Sequence, residues 1–581
     1  MTSRKYWLAV GSLLFATGLL YSVFLLRYVQ TFHINSDDFA LILNSARQYH
    51  ANPALWLTRG YSSYFAAFPD LPWHGTDFCR PAVNATFWLE SLLSPGTGPL
   101  NLTTNFLGIA ITFILFMFFL RRETSGNILF LSSMLIVYAF SAMWYETVTG
   151  PAWRCSLLMV VFALAAFLLL PPEGSRHQGL RITLSILCQL ASLLSHETGV
   201  VTPVIAALLF VVRRDGKVAR HRLKLLPLFL LPLVCFAALR LAFYGGVSRA
   251  YVLEPERGWV RTGIANTLVL LAKPFFPFET PTVTGEQWSV RVAIGALMNL
   301  AGYALVACAL LRPGKAGHRP LLRVLLCLGA ALAIVWMAPA ARFMQLAAVF
   351  GALATVVAAE QVSRDADQRW VRRGIRLGFV GSAVGQLLIY LTSFPQLAAG
   401  GVFVHNRPAR VEFEGLQRAI GTARVPTLLL VNDLAGYGGS QAMLEMAAGP
   451  NIGRVRRLIT VDSLAGESSP QSSLRISRDN GAVRIEIVAG PDQRFDFINV
   501  VQSRLGSEFV NQGLHYGMET IRSYSFTARL LRHLGKKVEP DRVALGRRLV
   551  VTVPPEMARD GLLIVGFDPR DMSWFSNELT R

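Results

Sequence analysis

The chain has 581 residues, of which 52% are hydrophobic and 16% are charged, and its mean hydropathy is +0.41. Soluble domains carry about 25% charged residues, so this composition excludes one large soluble enzyme. The formal net charge is +20, but residues 401–581 hold 23 Lys and Arg against 19 Asp and Glu. The excess lies in the first 400 residues, mostly in short loops between apolar runs, where it orients membrane helices. Nucleic-acid binding is excluded on this ground.

Apolar runs of about 20 residues recur as far as Pro395, which is the pattern of a polytopic α-helical membrane protein. The first run, Tyr6–Val29, follows Arg4 and Lys5 and is too long for a signal-peptide core. No small-residue cleavage site follows it, so we interpret it as an uncleaved anchor with its N-terminus inside. Ten further spans bring the predicted count to about eleven. They lie at residues 100–120, 127–144, 153–171, 180–194, 198–212, 225–243, 291–311, 321–339, 343–361 and 375–394.

Alternation from an inside N-terminus places the basic connections in the cytoplasm. Together with Arg4 and Lys5 they hold 21 Lys and Arg against 5 acids, as the positive-inside rule requires. An odd span count then puts the long connections 33–99 and 245–289, and the C-terminal part, outside the cytoplasm. We therefore expect an integral plasma-membrane or inner-membrane protein with an extracytoplasmic catalytic face. The cytoplasmic connections are Arg121-Arg122, the loop with Arg176 and Arg181, and residues 213–224, 312–323 and 364–376.

The apolar runs stop near residue 400, which divides the chain into a membrane module, 1–398, and an extracytoplasmic domain, 399–581. The second part alternates strand and helix patterns and then becomes rich in strands, so we predict a mixed α/β domain. Asp479-Asn480-Gly481 is a hairpin-turn sequence between two such strands. The other predicted elements are strands at Pro426–Asn432, Leu458–Val461, Leu549–Val553 and Leu562–Phe567, and a helix at Gln441–Ala447.

Two adjacent carboxylates, Asp37 and Asp38, follow the first span on the predicted outer face. Adjacent carboxylates repel each other, and an acid at the membrane edge suits a general base or a metal ligand. Mg²⁺ or Mn²⁺ would accept such oxygen ligands, but the pair does not require a metal, so metal dependence stays open. The alternative is that Asp caps the amphipathic helix Phe39–Tyr49.

Four basic residues lie on the same predicted face. Arg80 precedes Pro81, Arg154 and Arg342 open spans from the outside, and Lys273 stands among aromatic residues in the long loop. A guanidinium can hold a phosphate through two hydrogen bonds, and a lysine there suits an amphiphilic phosphate or a bilayer surface. The alternative is ordinary snorkelling at the membrane interface.

His196-Glu197-Thr198-Gly199 lies between two short apolar runs, also on the outer side. The first two residues resemble the start of the HExxH zinc motif, but position 200 is Val. A zinc protease is therefore excluded, and a structural polar turn is the alternative to a functional role.

In this order, these motifs resemble the GT-C superfamily of polytopic glycosyltransferases. The similarity is greatest to protein O-mannosyltransferases and to transmembrane relatives that carry tetratricopeptide repeats, which this chain lacks. It covers about residues 1–395, and the relatives usually have Lys-Glu where this chain has His196-Glu197. The matching motifs are Asp37-Asp38, Arg80-Pro81, Trp144 to Arg154, His196 to Gly199 and Arg342-Phe343.

The resemblance implies transfer of a sugar from a polyprenyl-phosphate donor to an extracytoplasmic glycan, lipid or protein acceptor, with inversion. Asp37, with Asp38 as its substitute, would accept the proton of the acceptor hydroxyl. The donor phosphate would be bound by Arg80, Arg154, His196, Glu197, Lys273 and Arg342.

Two other functions remain open. A transporter or lipid flippase usually keeps ionisable groups near the bilayer midplane and is built from repeated halves, whereas the acids here cluster near span ends and no halves repeat. A non-catalytic scaffold that presents the C-terminal domain would make Asp37 and Arg80 dispensable.

Overall fold

The described residues of the computed structural model form two compact units, and the boundary between them lies between Ala399 and Gly400. For the first unit these are residues 11–12, 14–19, 80–93, 99–141, 144, 147, 154–172, 174–244, 290–311, 318–335 and 344–399. For the second they are 400–401, 407–422, 427–431, 457–460, 464–465, 469–490, 494–495, 508–511, 514–523, 542–571 and 573–579.

The first unit is helical, and each of the ten spans predicted after the first overlaps one helix. Two short 3₁₀ helices, Glu197–Val200 and Arg220–Leu225, come directly before the α-helices that begin at Val201 and Leu226. The α-helices are α1 (Pro81–Leu93), α2 (Pro99–Glu123), α3 (Ile128–Ala139), α4 (Arg154–Leu169), α5 (Gln178–Ser195), α6 (Val201–Val211), α7 (Leu226–Tyr244), α8 (Val290–Leu311), α9 (Arg319–Val335), α10 (Gln345–Asp365) and α11 (Arg369–Gly401).

Four helical segments within the described residues are long and apolar enough to span a membrane: Thr103–Glu123, Arg220–Phe243, Gln345–Asp365 and Arg369–Leu391. Four apolar helices are shorter: Ile128–Ala139, Arg154–Leu169, Glu197–Val211 and Leu297–Leu311. The protein is therefore a polytopic helical membrane protein, and the span count of eleven stays a prediction.

The run predicted at 127–144 is longer than the helix that forms there, because α3 ends at Ala139. Asn127 begins the helix by accepting a hydrogen bond from the Leu129 N–H at 3.1 Å. At the other end, the Trp144 indole donates to the Tyr138 carbonyl at 2.8 Å, and Gln386 donates to the Phe140 carbonyl at 2.8 Å. Side chains thus satisfy carbonyls that a longer helix would have bonded.

The core of the unit surrounds α10, which is buried along most of its length. Its sequence is rich in small residues, which let neighbouring helices approach closely. Phe350 packs edge-on against Phe119 and Phe167, with ring centroids 5.8 Å apart in each pair. By contrast, α7 and α11 lie at the periphery, where many of their apolar side chains are exposed.

One end of the helical unit, which we call the basic end, collects arginines at helix termini. Arg122 donates to the carbonyls of Phe167 and Leu168 at 2.7 and 2.8 Å. Arg181 donates to the carbonyls of Leu168 and Leu169 at 3.0 and 3.2 Å. These carbonyls end α4, so the guanidinium groups satisfy acceptors that lack helical partners and offset the negative end of the helix dipole.

Three further connections meet the end of α2 at the same place. Arg323 of α9 forms a buried ion pair with Glu123 at 2.6 Å, and Arg214 donates to the Thr124 carbonyl at 2.7 Å. The Ser125 N–H donates to the Glu360 carboxylate of α10 at 3.0 Å. The basic end therefore contains residues from or beside all five connections that the sequence predicts to be cytoplasmic.

The second unit contains helix α12 (Arg407–Thr422), the short helix α13 (Pro555–Ala558) and two main sheets. One sheet has four strands in the order β11-β10-β1-β2, with β1 parallel to both β10 and β2. The other is antiparallel, in the order β4-β5-β9-β8-β7, and β3 pairs with β6 separately. The strands are β1 (Thr427–Val431), β2 (Arg457–Thr460), β3 (Leu464–Ala465), β4 (Ser473–Asp479), β5 (Ala482–Val488), β6 (Arg494–Phe495), β7 (Glu508–Asn511), β8 (Leu514–Ser523), β9 (Arg542–Val553), β10 (Leu562–Phe567) and β11 (Trp574–Leu579).

The predicted hairpin is present between β4 and β5. Asn480 and Gly481 both have positive φ, at 47° and 82°, which is the backbone that a two-residue hairpin turn needs. Strands also form at the other predicted positions, whereas the predicted helix Gln441–Ala447 lies outside the described residues.

Candidate functional site

Arg80 lies immediately before α1, at a position fixed by the start of that helix. Its carbonyl accepts hydrogen bonds from the N–H groups of Val83 and Asn84 at 3.1 and 3.2 Å. Pro81 takes the first helical position, where its missing N–H costs nothing and its φ is already helical. The side chain of Arg80 is buried, so its charge must be met inside the protein.

The Arg80 guanidinium contacts residues from two distant parts of the chain. Its Nε and Nη2 both donate to Oε2 of Glu197, at 3.1 and 3.0 Å. Nη2 also lies 3.3 Å from Nε2 of His196, and Nη1 lies 3.6 Å from Sγ of Cys155. The structure therefore brings Arg80, His196 and Glu197 together, as three of the predicted site residues.

The turn after α5 holds His196 and Glu197 in place. His196 is extended, with φ −157°, and its Nδ1 accepts a hydrogen bond from the Thr198 N–H at 3.1 Å. Gly199 packs against the end of α5 so closely that a Cβ would lie 2.6 Å from the Ser192 carbonyl oxygen. A side chain at position 199 would therefore push the turn, and Glu197 with it, away from α5.

Arg154, the first residue of α4, forms a second buried pair beside the first. Its side chain is 1% exposed, and Nη1 lies 2.8 Å from Oε1 of Glu90. Nε donates to Oδ1 of Asn105 at 2.7 Å, and Nη1 donates to Thr86 at 3.0 Å. The guanidinium carbon also lies 4.5 Å from the centre of the Phe87 ring. Arg154 thus ties the start of α4 to both α1 and α2.

The two pairs form one cluster, since Cys155 follows Arg154 and contacts Arg80. Two guanidinium groups face two carboxylates, so their formal charges cancel. Among the described residues, no group donates a hydrogen bond to the buried Oε1 of Glu197. An unmade hydrogen bond of this kind costs about 1–3 kcal/mol, so this oxygen is a ready acceptor for a hydroxyl or an amine.

The other predicted site residues, Asp37, Asp38, Lys273 and Arg342, lie outside the described residues. Among the residues that the structure does describe, no group of three or more His, Cys, Asp or Glu side chains could hold a metal ion. The Asp37-Asp38 metal site and the roles of all four residues therefore stay predictions.

Glu90 and Asn105 were not predicted as site residues, although the sequence contains a signal for Glu90. Glu90 is the one acidic residue of the otherwise uncharged helix α1. A buried acid in an otherwise uncharged helix needs a basic partner, and Arg154 opens the nearest predicted span that has a basic residue. Asn105 carries no comparable signal, because a lone amide in α2 has many uses.

The site and the basic end lie at opposite ends of α4. Arg154 is the first residue of this helix, whereas the carbonyls of Phe167, Leu168 and Leu169 at its other end accept hydrogen bonds from Arg122 and Arg181. The cluster is thus separated from the basic connections by the full length of the helix.

No protein-family model matches the chain, and no curated protein matches it in sequence. Among solved structures, the chain is similar to ArnT from Cupriavidus metallidurans in the apo state, at 13% identity over 94% of this chain and 99% of that chain, with a TM-score of 0.45. It is also similar to ArnT from the same organism bound to undecaprenyl phosphate, at 12% identity over 81% of this chain and 96% of that chain, with a TM-score of 0.44.

Proposed function

We propose that the protein is a membrane glycosyltransferase that moves a sugar from a polyprenyl-phosphate donor to an extracytoplasmic acceptor, with inversion. The observation that carries the proposal is the buried contact of Arg80 with His196 and Glu197. These residues come from two of the motifs that resemble GT-C enzymes. His196 and Glu197 follow Arg80 by 116 and 117 positions in the chain.

The position of the cluster supports an extracytoplasmic site. Basic connections stay on the cytoplasmic side of a membrane, and the basic end lies at the far end of α4 from Arg154. A polyprenyl-phosphate donor would then have its head group near Arg80 and its tail among the lipids.

Arg80 is the residue we assign to the donor phosphate. Its Nε and Nη2 now share one oxygen of Glu197, although a guanidinium can make two parallel bonds to two oxygens of a phosphate. A phosphate at Arg80 would displace Glu197, whose negative charge would repel it. In place of the phosphate contact that the resemblance implies for Glu197, this residue therefore holds Arg80 in position before the donor binds and competes with the donor phosphate.

Arg154 is proposed as a positioning residue for the phosphate site, and not as the phosphate ligand that the resemblance implies, because its side chain is buried against Glu90. Its guanidinium is fully buried against Glu90, Asn105 and Phe87, and it sets the position of Cys155 and of α1. Lys273 and Arg342 remain proposed phosphate ligands from the sequence pattern, as does His196, which touches Arg80.

In the proposed reaction, Asp37 accepts the proton of the acceptor hydroxyl, and Asp38 is its substitute. The acceptor oxygen bonds to the anomeric carbon from the face opposite the phosphate, and the polyprenyl phosphate leaves with the electron pair of the broken bond. Arg80 stabilises the charge that develops on the phosphate, and exclusion of water limits hydrolysis of the donor. Mg²⁺ or Mn²⁺ is an optional partner of Asp37 and Asp38 in this scheme.

The proposal can be tested by measuring how the full-length protein in nanodiscs binds undecaprenyl phosphate and a panel of polyprenyl-phosphate sugars. Wild type is expected to bind one donor and to transfer its sugar. Arg80→Gln removes a charged hydrogen-bond donor and should weaken binding about tenfold or more, with Arg80→Lys between the two. Glu197→Gln removes the competing charge and should tighten binding of the phosphate, and Asp37→Asn should bind without turnover.

Arg220→Gln is the matched control, because Arg220 is an exposed arginine at the other end of the helical unit. It should bind donor as wild type does. Absence of binding to every polyprenyl phosphate would contradict the proposal. Movement of the lipid across the membrane without sugar transfer would support a transporter, and wild-type behaviour of Asp37→Asn and Arg80→Gln would support a scaffold.

A further inference from the structure

The first two turns of α11 carry an exposed group of basic side chains outside the candidate site. Arg369, Arg372, Arg373 and Arg376 are all exposed, and so is Trp370, at 70%. We call these five residues the α11 basic face. They belong to residues 364–376, which the charge pattern predicts to be a cytoplasmic connection, and the proposed transfer reaction does not use them.

Helical geometry gathers these side chains on one side. At 3.6 residues per turn, the four arginines fall within a sector of about 100° around the helix. Trp370 and Leu377 lie in the adjoining sector, and the exposed apolar side chains of the following turns continue along that side. These are Val380, Val384, Leu388 and Leu391. One side of α11 is therefore basic and aromatic at its start and apolar beyond.

Within the part of the chain that the structure describes, no acidic side chain balances the charge of the α11 basic face. Among the described residues, none of the four arginines forms an ion pair, although Asp365 and Asp367 are only a few positions away in the sequence. Arg372 donates to the Ala366 carbonyl at 3.0 Å, which leaves its charge in place. Arginines of the basic end, in contrast, bind carbonyls or Glu123.

We propose that the α11 basic face binds the head groups of anionic phospholipids. Arginine forks match phosphate oxygens, and a tryptophan favours the level of the head groups. The exposed apolar residues that follow belong among the lipid tails, because Arg369–Leu391 is one of the candidate membrane spans. This continuity of charge, tryptophan and apolar surface along one side favours a lipid surface over an acidic protein.

The test uses the full-length protein in nanodiscs of phosphatidylcholine alone or with phosphatidylglycerol, and measures its thermal unfolding midpoint. Phosphatidylglycerol is expected to raise the midpoint of wild type, and the shift should shrink at high salt because the interaction is electrostatic. The quadruple variant R369Q/R372Q/R373Q/R376Q should lose most of this shift and keep its midpoint in phosphatidylcholine. Inorganic phosphate at the same concentration should give no shift.

The matched control is R418Q/R475Q/R484Q/R547Q, which removes four exposed arginines of the second unit. It should keep the phosphatidylglycerol shift. A lysine quadruple at the α11 positions preserves charge and should keep part of the shift, which separates a lost charge from a folding defect. Brominated phosphatidylglycerol should also quench the tryptophan fluorescence of wild type more than that of the Trp370→Phe variant.

Two results would overturn the proposal. One is an equal phosphatidylglycerol shift in wild type and in the α11 quadruple variant. The other is loss of a co-purified acidic protein from that variant with no change in lipid dependence, which would assign the face to a protein partner. The outcome does not depend on donor binding, so it stands apart from the proposed transferase activity.

Discussion

The ion pair of Arg154 and Glu90 lies where charges are expensive. Both side chains are buried, and removing two ions from water often costs more than their attraction returns. Here Asn105 and Thr86 satisfy further donors of the guanidinium, and the Phe87 ring covers it. The pair therefore depends on having both partners, because either charge alone would be buried without compensation.

Arg154→Gln should lower the free energy of unfolding by about 3–5 kcal/mol, since it leaves Glu90 buried and charged. Glu90→Gln should be destabilising for the same reason. The double variant E90Q/R154Q should be more stable than the sum of the two changes predicts. Thermal unfolding of the three variants in detergent gives this double-mutant cycle. Strictly additive effects would show that the two residues do not interact.

Asp568, in the turn between β10 and β11, gives a pH-dependent contribution to stability. The side-chain hydrogen bond from Arg570 holds the pKa of this carboxyl below its usual value. A lowered folded-state pKa stabilises the fold above the unfolded-state pKa of about 4, and the contribution disappears as pH falls through the folded-state value.

Asp568→Asn should therefore reduce the hydrogen-exchange protection of the β10–β11 amides near pH 7. Below the folded-state pKa of Asp568, wild type and variant should have the same protection, because the carboxyl is then neutral in both. A constant difference across the whole pH range would mean that ionisation of Asp568 is not the cause.

At the scale of elements, hydropathy predicted where helices lie better than where they end. The run 127–144 stays apolar beyond Ala139, so its composition contains no stop signal. Where the helix ends, Gln386, 246 positions away, donates to the Phe140 carbonyl. Such a contact depends on the packed fold and is invisible to a sliding window, whereas the turn at Asn480-Gly481 is encoded locally by two residues that accept positive φ.

In the candidate site, too, some residues could be predicted from the sequence and others are visible only in the packed fold. Arg80, His196 and Glu197 were predicted from the order of their motifs along the chain, and the structure brings them within hydrogen-bonding distance. Their role in phosphate binding stays a prediction. Cys155 and Asn105 were not predicted as site residues, because their contacts with Arg80 and Arg154 arise from the packing of α4 against α1 and α2.

Gly199→Ala tests whether the turn after α5 positions Glu197. The added Cβ would lie 2.6 Å from a backbone oxygen, so the turn must move, although no polar atom of the site is changed. Because the displaced Glu197 would compete less with the donor phosphate for Arg80, we expect donor affinity to rise, as it should in Glu197→Gln. Gly329→Ala in α9 is the control, since open space surrounds it and it should bind donor normally. Wild-type binding by Gly199→Ala would show that the turn is not constrained.

At the scale of the whole molecule, the basic end and the candidate site define the two ends of the helical unit. The residues that meet at the basic end belong to loops spread over much of the chain. The first is Arg122 and the last is Glu360. The positive-inside rule uses sequence alone, and the hydrogen bonds among these residues are independent of it. The sidedness it implies can be measured directly.

A cysteine introduced at Arg220 should react with a membrane-impermeant maleimide only after the membrane is opened. A cysteine at Arg559, in the second unit, should react in intact cells. Arg220 and Arg559 are exposed, and because Cys235 and Cys308 are exposed as well, both cysteines are introduced into a background in which the native cysteines are replaced by Ser. The reverse pattern would place the candidate site in the cytoplasm and would contradict an extracytoplasmic transfer.

The length of α4 determines how deep the candidate site lies. The helix has 16 residues, so Arg154 stands about 24 Å from the basic end at 1.5 Å per residue. The hydrocarbon core of a typical bilayer is about 30 Å thick. Either the bilayer thins around α4 or the charged cluster sits several ångströms below the interface. The length of the surrounding acyl chains, through hydrophobic mismatch, would then control how far a lipid phosphate must sink to reach Arg80.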